Sequence, residues 1–188
     1  MIACLGANDW DKLPREATDA YLRAVERAAL ARIPIRTGAS TGCDQAAASA
    51  ALALSGRVEL VLPWAAWQEE WVTRVRTAHP TRVKVEVLDP KRDVKWMQSV
   101  DQYAVSNVPL SAAKRMELAR VYGIVERCEI VLALTLESER GGTGQGMRIA
   151  RALGKVVLDP RHQEDRRQLQ EWLLGLPQNR SRRRRPAK

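Results

Sequence analysis

Short apolar runs alternate with longer helical segments along most of this chain, and this alternation limits its possible folds more than any other feature. Six runs are predicted strands, at residues 2–5, 33–37, 58–62, 82–88, 130–136 and 156–158. Six further segments are predicted helices, at residues 17–31, 43–54, 64–75, 111–127, 147–153 and 163–174. Strands that alternate with helices are typical of a parallel sheet covered on both faces. The pattern therefore predicts an α/β fold with three layers, α/β/α, and a mostly parallel sheet.

Length and composition favour one domain. The chain has 188 residues, 45% of them hydrophobic, which is enough for a single core. We predict that residues 1–176 form this domain and that residues 177–188 form a basic, disordered tail. No run of about 18 or more apolar residues occurs, so we expect no membrane span.

The cysteines and histidines exclude several kinds of site. Cys4, Cys43 and Cys128 are odd in number, widely spaced and form no CxxC pair. They indicate reduced thiols in the cytoplasm rather than a disulfide or zinc framework. His79 and His162 stand apart from other metal-ligand residues. We therefore predict no metal site, and neither a Ser-His-Asp nor a Cys-His catalytic arrangement.

Most of the positive charge lies at the C-terminus. The formal net charge is +9, and the last ten residues supply six positive charges and no acid, which leaves +3 for the rest. We interpret this tail as an electrostatic arm for nucleic acid, with a solubilising end as the alternative. Its arginines are Arg180, Arg182, Arg183, Arg184 and Arg185.

Three glycine-rich segments follow predicted strands, at residues 6–8, 38–42 and 141–146. The carboxyl ends of parallel strands form the ligand crevice of such a sheet. Glycine lets the backbone approach an anion, and the next helix N-terminus adds N–H groups and a positive dipole end. We therefore predict a phosphate-binding site at this edge. Its candidate residues are Gly6, Ala7, Asn8, Gly38, Ala39, Ser40, Thr41, Gly42, Gly141, Gly142, Thr143 and Gly144.

Charged side chains near these turns are further candidates. Asp44 begins the helix after the second turn, where it either stabilises that helix or contacts a ribose or base. Arg115 and Arg120 lie on the predicted helix at residues 111–127, which Ser111 caps. These arginines are candidates for a bidentate phosphate contact, with a solvated helix face as the alternative.

Aromatic residues offer two interpretations. Spacings of three and four residues place Trp64, Trp67 and Trp71 on one predicted helical face, either packed in the core or exposed to stack a base. Trp96 and Tyr103 fall in residues 89–110, the least regular segment, where they are candidates for the same stacking role.

The glycine turns match neither of two well-known phosphate motifs. No Lys-Ser or Lys-Thr pair follows the glycines, as it would in a Walker A loop. Nor is there a GxGxxG followed by an acid on the next strand, which disfavours a dinucleotide oxidoreductase. No cofactor is predicted.

Two parts of the chain resemble a known family. Residues 37–52, TGASTGCDQAAASAAL, are similar to the signature of the DprA/Smf proteins, which belong to the SLOG superfamily. Arg120, the run at 130–136, the triplet Gly141-Gly142-Thr143 and residues 149–156 resemble the family's later motifs in the same order. The similarity extends over about residues 1–160. It implies a Rossmann-like domain that commonly forms a homodimer.

The resemblance implies a protein that binds nucleotides or single-stranded DNA or RNA, and DNA binding is our leading hypothesis. One alternative is an enzyme of the nucleotide N-glycosidase or phosphoribohydrolase type, with Glu117 or Glu137 as its acid. The other is a sensor of a small nucleotide-derived signal. The signature of the LOG hydrolases, from the same superfamily, is only half present, since Arg140 stands where they have proline. This departure favours binding over catalysis.

Overall fold

The computed structural model describes residues 1–106, 108–136 and 141–176. The strands are β1 (Ile2–Gly6), β2 (Ile35–Thr37), β3 (Val58–Leu62), β4 (Val83–Val87), β5 (Ile130–Leu134) and β6 (Val156–Leu158). The helices are α1 (Arg15–Leu30), α2 (Cys43–Ala53), α3 (Glu69–Ala78), α4 (Val94–Tyr103), α5 (Ala112–Glu126), α6 (Gly141–Ala152) and α7 (Gln163–Gly175), and Trp10–Lys12 forms a 3-10 helix. None of these helices is long and apolar enough to cross a membrane.

The strands of the described residues form one sheet in the order β4-β3-β2-β1-β5-β6, and its five pairings are parallel. Between β1 and β5 the register runs unbroken from Ile2 opposite Ile130 to Gly6 opposite Leu134. The predicted α/β class and parallel sheet are confirmed. β4 lies at a sheet edge, in agreement with the apolar and charged residues that alternate along it.

Alternate residues of β1 belong to two separate cores. Ile2 and Cys4 pack in a core with residues of α1, α2, α3 and α7. Ala3 and Leu5 pack in a second core with residues of α4, α5 and α6. Because side chains of a strand point to opposite faces in turn, helices must cover both faces of the sheet. The chain therefore has the three-layer, Rossmann-like architecture.

The strand order reverses next to β1. From β1 the chain builds outward through β2, β3 and β4 on one side, and it then returns to place β5 and β6 on the other. A parallel sheet opens a crevice at the carboxyl ends of its strands where the order reverses in this way. The crevice expected here lies between the ends of β1 and β5.

The helix α3 begins later than predicted. It starts at Glu69 rather than at residue 64, because Gln68 has φ +51 and so interrupts the helical geometry. Trp64 and Trp67 precede the helix, and only Trp71 lies within it. The prediction of one helical face for the three tryptophans is wrong.

The helix α4 lies in the segment where no helix was predicted. Its Trp96 and Val100 are one turn apart and buried at 4% and 2% exposure, and the indole Nε1 donates to Glu126 Oε1 at 3.0 Å. The ring of Trp96 packs over Gly123 of α5. Trp96 is therefore a core residue in this structure and is not exposed for base stacking.

A buried arginine links three neighbouring strands on the α5 side of the sheet. Arg36 of β2 is fully buried, and its Nε donates to the Gly123 carbonyl at 2.8 Å. Its two Nη groups donate to Glu59 of β3 and Glu86 of β4, the second at 2.6 Å. Glu86 also pairs with Arg127, which follows α5, at 3.4 Å. A charge cluster of this kind is costly to break, since a lost partner leaves the others uncompensated.

We expect Arg36→Met to lower the free energy of unfolding by about 3 kcal/mol, because Glu59 and Glu86 lose their buried counter-charge. Urea denaturation followed by circular dichroism measures the change. Arg127→Met is the matched control: its half-exposed guanidinium touches the same Glu86, so we expect a loss below about 1 kcal/mol. Equal losses in the two variants would contradict this account of Arg36.

Candidate phosphate-binding site

A cavity of about 760 Å³ opens at the carboxyl ends of β1 and β5. Its lining comes from the turns after β1 and β2, from α5, from the residues after β5 and from the first residues of α6. This is the crevice that the reversal of strand order predicts. Its volume lies within the range of about 300–1,000 Å³ that is usual for small-molecule sites.

The turns after β1 and β2 dock onto each other. The Ala7 N–H donates to the Leu134 carbonyl of β5 at 2.9 Å, and the Ala7 carbonyl accepts from the Cys43 N–H at 3.1 Å. Cys43 is the first residue of α2. The N-terminus of α2 therefore already binds a carbonyl oxygen, at the place where a phosphate oxygen would otherwise accept.

Two glycines make this docking possible. A Cβ on Gly6 would overlap Cys43, and a Cβ on Gly42 would overlap the carbonyl oxygens of Ala7 and Asn8. Gly42 also has φ +76, a conformation that residues with side chains rarely adopt. Close packing between the turns is thus a sufficient reason for glycine at both positions.

Arg120 of α5 is buried under the turn after β2, at 6% exposure. Its Nη1 donates to the carbonyls of Gly38 and Val61, and its Nη2 donates to Ser40 Oγ at 2.7 Å. A Cβ on Gly38 would overlap the guanidinium. Both Nη groups are therefore engaged by the protein, while Nε has no hydrogen-bond partner among the described residues.

Asp44 lies beside this guanidinium and is 4% exposed. Its Oδ2 accepts the Ser40 N–H at 3.2 Å, so the carboxylate organises the turn after β2. Burial raises the pKa of the Asp44 carboxyl, and the charge of Arg120 opposes this shift. Burial likewise lowers the pKa of the Arg120 guanidinium, against the charge of Asp44. The two groups compensate each other's charge at the wall of the cavity.

The third glycine segment forms the first turns of α6. The predicted turn at residues 141–146 and the predicted helix start at residue 147 are therefore wrong. Glycine is a poor helix former, but here a Cβ on Gly146 would overlap Leu5, so glycine lets α6 approach β1. Gly141, Gly142 and Thr143 line the cavity. Their N–H groups stand at a helix N-terminus, which favours an anion.

Two lysines add positive charge. Lys12, from the 3-10 helix, and Lys114, from the first turn of α5, both line the cavity. Lys12 pairs with Asp9 at 2.9 Å and Lys114 with Glu117 at 2.7 Å. Surface ion pairs contribute little to stability, so either lysine can exchange its partner for a ligand at small cost.

Trp67 supplies an aromatic surface of the cavity. Arg120 Cζ lies over its ring, 5.2 Å from the ring centroid, in a cation–π contact. Trp64 packs against it edge to face, with centroids 5.1 Å apart and an interplanar angle of 89°. The sequence analysis identified tryptophans in this segment as candidates for base stacking, but it predicted that they lie on a helix.

The structure gathers many of the predicted site residues around the cavity and leaves others outside it. Those that line it are Gly6, Ala7, Asn8, Ser40, Asp44, Glu117, Arg120, Gly141, Gly142 and Thr143. Those outside the lining are Gly38, Ala39, Thr41, Gly42, Arg115 and Gly144. Arg115 instead pairs with Asp101 at 2.8 Å. Glu137 and the tail arginines lie outside the described residues.

Sequence reasoning missed two polar residues of the lining, Lys12 and Thr135. Thr135 directly follows β5, so its place at the carboxyl end of a buried strand was a usable signal. Lys12 lies in a 3-10 helix of three residues, which is too short to produce a periodic pattern. Its approach to the cavity depends on the path of the chain between β1 and α1.

The buried thiols are unsuited to catalysis. Cys4, Cys43 and Cys128 are each fully buried. Burial raises the pKa of Cys43 to about 12 and that of Cys128 to about 11, so both stay protonated at neutral pH. In the part of the chain that the structure describes, no group of three or more His, Cys, Asp or Glu side chains is placed to hold a metal ion.

We expect Gly42→Ala to destabilise the protein by at least about 2 kcal/mol more than Gly154→Ala. Both glycines have positive φ, at +76 and +66, but an added Cβ has nothing within 4 Å at Gly154 and meets backbone carbonyls at Gly42. The control therefore carries the backbone strain without the overlap. Chemical denaturation of both variants measures the difference, and equal losses would contradict the docking of the two turns.

Comparisons with known proteins give a similarity to a solved structure. No family model matches the chain, and no curated protein matches it. The X-ray structure of DNA processing protein A (DprA) from Streptococcus pneumoniae is similar, with 18% sequence identity and a TM-score of 0.46. The match covers 89% of this chain and 60% of that chain, so this chain spans less than two thirds of its neighbour's length. Membership of the DprA/Smf family and of the SLOG superfamily stays a prediction.

Proposed function

We propose that the cavity binds the phosphate of a nucleotide, either free or within a single strand of DNA or RNA. The observation that carries this proposal is the N-terminus of α6, whose first residues line the cavity at the reversal of strand order. Helix N-termini bind phosphate through free N–H groups and the positive end of the helix dipole. The turn after β2, in contrast, is engaged with Ala7 and Arg120.

The charges of the cavity wall also favour an anion. Among the described residues, Lys12, Lys114 and Arg120 line it together with two carboxylates, Asp44 and Glu117, so the formal charge of this part of the lining is positive. Asp44 is compensated by the buried Arg120, and Lys12 stands on the rim with its side chain 71% exposed. A positive cleft with low-dielectric walls raises the local concentration of anionic ligands.

For a strand of nucleic acid, the proposal includes the basic tail. Its six positive charges would attract phosphates that flank the nucleotide in the cavity. A homodimer, which the sequence resemblance implies, would present two such cavities to one strand. Both extensions are parts of the proposal.

We expect Lys114→Gln to weaken the binding of a fluorescein-labelled oligothymidylate and of nucleoside monophosphates about tenfold. The lysine would donate a charge-assisted hydrogen bond to phosphate, and such bonds contribute about 1.5 kcal/mol or more. Fluorescence anisotropy at low salt measures the affinity for the oligothymidylate, and isothermal titration calorimetry measures the affinity for the monophosphates.

Lys95→Gln is the matched control, since Lys95 is exposed on α4, lies outside the cavity lining and carries the same charge. It should change either affinity less than twofold. Equal weakening by the two variants would indicate general attraction of anions rather than a site at the cavity. Absence of any binding by the unaltered protein at low salt would overturn the proposal.

Removal of residues 179–188 should affect the binding of single strands and of free nucleotides differently. We expect the truncated chain to bind nucleoside monophosphates as before and oligothymidylate more weakly. The slope of log Kd against log salt concentration should also decrease, by up to about four if six contacts with a single strand are lost. Unchanged salt dependence would exclude the tail from strand binding.

The catalytic alternative has Glu117 or Glu137 as its acid, and Glu117 is tested first because its carboxylate lines the cavity, whereas Glu137 lies outside the described residues. Its test is incubation with nucleoside monophosphates followed by chromatography of the free base. Release of base by the unaltered protein, abolished in Glu117→Gln, would replace the binding proposal with nucleotide N-glycosidic hydrolysis. The sensor alternative is favoured instead if one small nucleotide raises the melting temperature and oligonucleotides do not.

A further inference from the structure

We propose that Trp67 forms a base-binding subsite, so that the ligand is a nucleobase-bearing phosphate with its phosphate at α6 and its base at Trp67. This inference rests on the proposed function, since it names the second group of the same ligand. It excludes sugar phosphates and inorganic phosphate as the preferred ligands. The placement of Trp67 in the cavity wall is the observation that carries it.

The two ends of the cavity lie on different strands. The α6 N-terminus follows β5, whereas Trp67 lies in the turn that follows β3. Between β5 and β3 the sheet contains β1 and β2, so the ends of β5 and β3 are three strand spacings, or about 14 Å, apart. A ligand that contacts both ends of the cavity would carry an anionic group and a flat ring joined by a spacer. A nucleotide has a sugar between its phosphate and its base.

Contacts behind the indole hold it in place. The Arg120 guanidinium, which the carbonyls of Gly38 and Val61 hold, lies over its ring. Trp64 packs against the same ring from the side. A large rigid side chain that is already ordered loses little conformational entropy when a ligand binds, so more of the contact free energy appears as affinity.

The wall between the two ends is partly apolar. Leu118, Val121 and Ile124 of α5 line it, together with Leu5 of β1. A base gains from contact with such carbons, while a second phosphate group would lose hydration there. The wall therefore favours one phosphate and one ring over two phosphates.

The test compares each base-bearing probe with a base-free counterpart of the same charge. The pairs are adenosine monophosphate with ribose 5-phosphate, and oligothymidylate with an abasic oligonucleotide of the same length. We expect the unaltered protein to bind the base-bearing member of at least one pair about five- to hundredfold more tightly, as a stacked base would require. Trp67→Leu should remove this preference and change the affinity for the base-free probes less than twofold. Trp67→Phe should keep most of the preference for the base-bearing probes.

Trp71→Leu is the matched control, because Trp71 lies on α3 outside the cavity lining, and it should retain the preference. Equal affinity of the unaltered protein for both members of both pairs would overturn the subsite while leaving phosphate binding intact. A preference for the base-bearing probes that remains in Trp67→Leu would also overturn the subsite. If none of the four probes binds, the proposed function fails, and the subsite fails with it. Should Trp67→Leu not fold, the comparison of pairs in the unaltered protein and in Trp67→Phe decides.

Discussion

The candidate site depends on one buried guanidinium. Arg120 projects from α5 and binds the turn after β2 through Gly38 and Ser40, the strand β3 through Val61, and the indole of Trp67 through its ring face. These contacts converge from separate elements, and each is stronger because water is excluded. Asp44 balances the charge that such burial would otherwise leave uncompensated. Arg120 thus organises one wall of the cavity.

The glycine-rich segments have different roles in the structure, although they look alike in the sequence. Gly6 and Gly42 allow two turns to touch, Gly38 makes room for Arg120, and Gly146 lets α6 approach β1. The segment that begins α6 lines the cavity with the first residues of a helix, whereas the first N–H group of α2 is bound to the Ala7 carbonyl. Glycine residues at a strand end therefore indicate close backbone packing more often than anion binding in this protein. The contacts around each glycine show which of the two roles it has.

The sequence predicted the architecture more accurately than the site. Apolar runs and helix-stop residues located all six described strands, and β3 and β6 match their predicted bounds. Burial on both faces leaves a strong apolar pattern in β3. The helix α4 was missed, since it is short and its buried apolar residues are only Trp96 and Val100. Whether Arg120 binds ligand or protein depends on partners up to 82 residues away, Gly38 among them, and no local pattern encodes such a contact.

The charge cluster around Arg36 has a consequence for the response of the protein to heat. The hydration of charged groups becomes less favourable as temperature rises, so the desolvation cost of Arg36, Glu59 and Glu86 falls on warming. Apolar burial gains little per unit area over the same range. The contact between β2, β3 and β4 is therefore one that becomes less costly on heating. The buried pair of Asp159 with Arg161, directly after β6, gives the other side of the sheet a contribution of the same kind.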